Sequence, residues 1–162
     1  MSKIDDYLDD TIHHAILFER YKTGQANKIL RYVRSTNRQI ADYVKSHSFE
    51  TKKQYKAGSL RAREYIKEMV ETLRRIIRKD LVSLITVEKE IIAEISPVEL
   101  DTDINENRVL NDIMFAAFSK TDTINSYLQG LGERIFKVWD AQFRVAYMTG
   151  MDSRKIIEAV LG

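Results

Sequence analysis

The chain has 162 residues, 44% of them hydrophobic, and its 26 basic and 24 acidic residues leave a formal net charge of +2. That length suits one domain with enough apolar material for a core, and a charge so near balance makes no global case for a polyanion partner. Cysteine is absent, which excludes disulfides, thiolate zinc sites and cysteine nucleophiles and fits a reducing compartment, or a particle assembled in one.

One proline, Pro97, and six glycines supply too little turn chemistry for a β-sandwich, so the expected class is all-α. The first twenty residues carry four aspartates among short apolar steps. They contain no apolar run of signal-peptide or membrane length, so neither secretion by that route nor a membrane span is expected.

From Ile4, the residues Leu8, Ile12, Ala15 and Ile16 recur at three- and four-residue steps, with Asp5, Asp6, Asp9 and Asp10 in the first turns, where the helix dipole favours negative charge. Thr23-Gly24 weakens this pattern. Ala26, Ile29, Leu30, Val33, Ile40, Ala41 and Val44 then resume a seven-residue rhythm, interrupted by the polar Asn37, as a second helix or a kinked continuation.

Residues 46–58 are polar and aperiodic and read as the first connection, closed by Gly58 with Ser59 as N-cap. From Leu60 to Ile95, apolar positions such as Ile66, Met69, Leu73, Ile77, Leu81, Leu84, Val87 and Ile91 hold helical spacing without a breaker. A straight helix of that span is about 50 Å long, against a radius of gyration of about 15 Å for a compact globule of this size. The expected shape is therefore an elongated helical hairpin or bundle with one very long central helix.

Ser96-Pro97 ends that helix, and PVELDTD forms a short acidic connector. Val109, Leu110, Ile113, Met114 and Ala117 mark a helix over 105–118. Thr121 or Asp122 caps the next, which runs through Leu128, Leu131, Ile135, Trp139 and Phe143, with Gly130 and Gly132 as a candidate kink. Gly150 stops it, and Asp152 caps a last helix that ends at Gly162. The predicted helices of one domain, 1–162, are thus about 4–22, 25–45, 59–95, 105–118, 122–148 and 152–161.

Catalytic chemistry finds little to stand on. His13 and His14 lie near Asp9 and Asp10, but a ferritin-like di-metal site needs Glu-x-x-His on two helices, and no Glu stands three residues before any histidine. Gly130-Leu131-Gly132 lacks the third glycine and the preceding strand of a dinucleotide loop, and phosphate-loop, zinc-protease, serine-hydrolase and calcium-loop motifs are missing. No catalytic residue, metal or cofactor is expected.

Local charge is less even than the total. Lys52, Lys53, Lys56, Arg61 and Arg63 form one basic run, and Arg74, Arg75, Arg78 and Lys79 a second. Two readings stand: solvated helix faces and a loop, or contact with DNA or an acidic partner surface. Tyrosines near these residues, Tyr55 and Tyr65 among them, could stack on single-stranded nucleic acid or form a core edge. Phe136, Trp139 and Phe143 share one helix face and read first as packing.

The segment IHHAILFERYKTGQANKILRYV, residues 12–33, resembles the opening of the phage minor head proteins, also called head-morphogenesis or Mu F-type proteins, through Ile12, His14, Phe18, Glu19, Arg20, Tyr21, Gly24, Ile29 and Leu30. Leu128, Trp139, Gly150, Ile156, Ile157 and Gly162 resemble that domain's closing stretch. The chain departs from the family in lacking a Pro-Phe-Gln-Gly-like step around Ser119 to Asn125, and in not continuing into the compact second domain of larger members. It reads as a short version or as the helical part alone.

The resemblance implies a structural virion protein, assembled in the host cytoplasm, that acts in head assembly or genome delivery. It implies portal or other capsid proteins as partners, oligomers in the assembled particle, and non-specific contact with packaged DNA. On that reading Phe18, Arg20, Tyr21, Trp139 and Phe143 are candidate partner-interface residues. Lys52, Lys53, Lys56, Arg61, Arg63, Arg74, Arg75 and Arg78 are candidate contacts to DNA or an acidic surface. The alternative is a helical protein- or DNA-binding regulatory module.

Overall fold

The computed structural model describes residues 3–95, 108 and 123–162. The protein is all-α: among the described residues there are four helices, α1 (Lys3–Lys45), α2 (Lys52–Ile95), α3 (Ile124–Thr149) and α4 (Ser153–Leu161). Apart from Arg108, the helix expected over 105–118 lies outside the described residues.

α1 and α2, of 43 and 44 residues, are each about 65 Å long at 1.5 Å per residue. They form a hairpin closed by residues 46–51, with α3 antiparallel to α2 and α4 packed on both α1 and α3 at the closed end.

Three expected boundaries change. No break separates 4–22 from 25–45, because α1 runs straight through Gly24. A helical glycine costs only about 1 kcal/mol relative to alanine. The turn beyond it is anchored: Gln25 Nε2 and Lys28 Nζ donate to Asp80 Oδ2 of α2 at 2.8 and 2.5 Å.

α2 starts at Lys52, not at 59, because Thr51-x-x-Gln54 is a capping box. Gln54 N donates to Thr51 Oγ1 at 3.2 Å, while Gln54 Oε1 accepts from the Thr51 and Glu50 amides, each at 3.0 Å. Gly58 therefore sits inside a helix rather than ending a loop. It is a packing glycine: a Cβ there would overlap the ring of Phe49, which stacks on Phe143 with centroids 4.6 Å apart.

Gly132 likewise marks close approach rather than a kink, since a Cβ there would lie 2.9 Å from Val70 Cγ2 and 3.1 Å from Ile66 Cγ2. The cap of α3 is Thr123, slightly later than expected, with Ser126 completing a reciprocal capping box. The last turn is as expected. Gly150 adopts a left-handed φ of 68° and closes α3, and Asp152 caps α4.

The core runs from the closed end to the start of α3. Ile40 and Val44 of α1, Leu73 of α2, Leu128, Trp139 and Phe143 of α3 and Ile156 of α4 are its largest fully buried side chains. Ile77, Leu81 and Ile85 carry the buried stripe on along α2.

Candidate functional site

Two expected interface residues belong to the interior. Trp139 and Phe143 are both 0% exposed, so neither offers a surface to a partner. A helix face that reads as an aromatic stripe is here the knob of the core. Asn37, the polar interruption in α1, is the counterpart of that burial: Trp139 Nε1 donates to Asn37 Oδ1 at 3.0 Å. Arg20 is exposed. Phe18 and Tyr21 lie on α1, and their side chains are outside the described residues.

The basic residues come together on α2. At 100° per residue, Lys52, Lys56, Arg63, Arg74 and Arg78 fall within an arc of roughly 80°, beside the contact with α3. Lys67 lies in the same arc. The two runs had left it out because it stands between them in sequence; helical register places it on the stripe. Lys53 stands just beyond the edge of that arc, while Arg61 and Arg75 point away from it.

These cations divide into two kinds. Arg61 donates to Glu64 at 2.8 Å and lies 4.6 Å over the Tyr65 ring, and hydrogen bonds to Glu64 and Tyr65 hold its pKa above its ordinary value. Arg63 lies 3.8 Å over the Phe136 ring and reaches Glu133 at 3.3 Å, and Arg74 Nε donates to Asn125 Oδ1 at 3.1 Å. These two arginines therefore clamp α3 to α2. Arg75 bonds Thr72 at 3.4 Å. Lys52, Lys53 and Lys56, by contrast, are exposed and have no ion-pair partner among the described residues.

Between α2 and α3 the stripe borders a shallow groove of about 350 Å³. Ile66, Val70 and Gly132 line it together with Arg63, Lys67, Arg74, Glu133 and Phe136. Such a lining can hold an amphipathic or anionic surface, but it brings no base and nucleophile together. Among the described residues, no group of three or more His, Cys, Asp or Glu is placed to hold a metal. No described helix is long and apolar enough to cross a membrane.

At the closed end the stripe meets a polar knot. Asp140 of α3 accepts from Tyr55 Oη at 3.0 Å, from Ser59 Oγ at 2.5 Å and from Arg144 Nη2 at 3.4 Å. Hydrogen bonding to Tyr55, then the charge of Asp140, keeps the Arg144 pKa above its ordinary value. The Tyr55 ring stacks with Tyr147, centroids 6.1 Å apart and planes 15° from parallel. Arg144 and Tyr147 were invisible as site residues in the sequence, since only the α2–α3 packing brings them beside the lysines.

The chain matches no family model, no curated protein and no solved structure.

Proposed function

We propose that this chain is a structural protein of a phage particle: a minor head or internal virion protein, seated against the portal or inner capsid and touching packaged DNA. It acts by holding other molecules in place and not by catalysis. The observation that carries this reading is the hairpin of two helices of 43 and 44 residues, a rod that spends its length on reach and lateral surface. The ends that resemble the family support it, Gly150, Ile156 and Gly162 serving as stop, buried anchor and cap.

The basic stripe supports the contact with DNA. Lys52 and Lys53 stand in the first turn of α2, which contains no acidic residue. Positive charge there opposes the helix dipole, at a cost of about 0.3–1 kcal/mol per charge. Folding gains nothing from that placement, whereas an external anion does.

Mass spectrometry of purified particles and procapsids tests the proposal. The chain is expected in one or both, in few copies set by the portal ring; its absence from both overturns the reading. The same lysines favour a second reading, a DNA-binding regulatory module. Preference for a particular duplex sequence over random DNA, at a salt concentration where random binding has faded, would establish that reading instead.

A further inference from the structure

We propose that the closed end of the hairpin carries a binding site for single-stranded nucleic acid, built from the Tyr55–Tyr147 ring pair and the cations Lys52, Lys56 and Arg144. The inference rests on the part of the proposed function that sets nucleic acid beside the scaffold. It is tested on the isolated chain, so its failure leaves residence in the particle untouched.

The ring pair is held in place before any ligand arrives. Tyr55 is fixed at its hydroxyl by Asp140 and along its face by Tyr147, while Tyr147 remains 38% exposed and its neighbour Met148 is 74% exposed. Tyr55 packs partly against the core, whereas Tyr147 stands outside it, since Trp139 and Phe143 already supply the buried face of α3.

The cations stand where a phosphate chain would run. Lys52, three residues before Tyr55, is its neighbour on the surface of α2; Lys56, one turn after Lys52, continues the positive charge along the stripe, and Arg144 lies one turn before Tyr147 on α3. Asp140, the one carboxylate in the cluster, already accepts from Tyr55, Ser59 and Arg144 and is only 18% exposed.

Chemistry selects the ligand. An aromatic face carries negative potential, which a carboxylate avoids and a nucleobase stacks upon. A duplex keeps its base faces covered by their neighbours, so only an unpaired strand offers both a free base and a backbone to the lysines. Nothing in the cluster reads a base edge, so binding should tolerate any sequence.

The test is fluorescence anisotropy of a labelled oligothymidine strand titrated with the full chain at low and moderate salt. Binding is expected to weaken steeply with salt and to exceed binding to a duplex of equal length. Tyr147→Phe should keep the affinity, whereas Tyr147→Ala should lower it about tenfold, the scale of one stacked base. Replacing Lys52 and Lys56 together by glutamine should weaken binding and flatten its salt dependence.

Photocrosslinking of the unaltered chain to a bromouracil strand gives a readout that needs no variant, and the adduct should map to Tyr147 or the first turns of α2. An affinity unchanged in Tyr147→Ala, an adduct confined elsewhere, or competition by polyglutamate as strong as by oligothymidine would overturn the proposal, the last by identifying an acidic protein surface as the ligand.

Discussion

The two ends of α2 follow the same apolar rhythm and come to different fates. In its first half Ala62, Ile66, Met69 and Leu73 meet α1, α3 and the closing loop, and Leu73 is completely buried. Past Arg74, which bonds Asn125 at the start of α3, α1 is the described element alongside, and Ile77, Leu81 and Ile85 each keep 7–8% of their surface. Periodicity states which face is apolar; the number of neighbouring elements decides how dry that face becomes.

Charge separates the two ends as well. Residues 52–63 hold five basic residues and no acidic one, while residues 80–95 hold four acidic residues and one lysine. Both placements oppose the dipole of α2, whose first turn lacks an acidic residue and whose last turn lacks a basic one. The helix is thus arranged for what lies around it rather than for its own stability. It is held by packing, as most long helices are.

The largest effect that should separate the ends is a cavity. Trp139→Ala should cost about 4 kcal/mol, since it removes a fully buried indole and strands the Asn37 carbonyl oxygen. Ile85→Ala should cost about 2 kcal/mol, because its site can collapse or admit water more readily. Chemical denaturation of both variants compares them directly, and equal losses would abolish the distinction.

The glycines give a sharper contrast, because a methyl group should act with opposite sign at two positions. Gly58→Ala gains helix propensity but drives into the Phe49 ring, a net loss of about 2 kcal/mol. Gly24 has nothing within 4 Å of a built Cβ, so Gly24→Ala should stabilise by about 1 kcal/mol. Thermal melts followed by circular dichroism read both, and stabilisation at Gly58 would refute the packing role given to it.

The smallest effect concerns Asp80. Burial by itself would raise its carboxyl, but hydrogen bonds from Lys28 and Gln25, with the charge of Lys28, hold the pKa below its ordinary 3.8. A depressed carboxylate stabilises the fold above its unfolded value and loses that contribution as pH falls through the folded one. The pair is partly exposed and screened by solvent, so Asp80→Asn should cost about 0.5 kcal/mol at neutral pH. That deficit should vanish in acid, below the folded value. A deficit unchanged down to pH 2–3 would exclude the ionic contribution.

Much of this architecture was legible in the residues. The Leu60–Ile95 rhythm, the Gly150 stop and the Asp152 cap each follow from local chemistry, and each stands close to where it was expected. The early start of α2 was also written locally, in Thr51 and Gln54, but the polar composition of residues 46–58 hid the box. Lys67's place on the stripe was legible from helical register alone, whereas the α2–α3 groove and the tyrosine pair were not, because Tyr147 and Arg144 come beside α2 only through a helix dozens of residues away.

By itself, then, the sequence determined that this protein is helical, where most helices stop and which face of each is apolar, because spacing and capping act within a few residues. Only the tertiary structure decided that Trp139 and Phe143 are core rather than interface, that Gly58 and Gly132 are packing positions, and that Asn37 answers an indole across the bundle. Those facts depend on which surfaces meet, and that is settled by how the long helices register against one another.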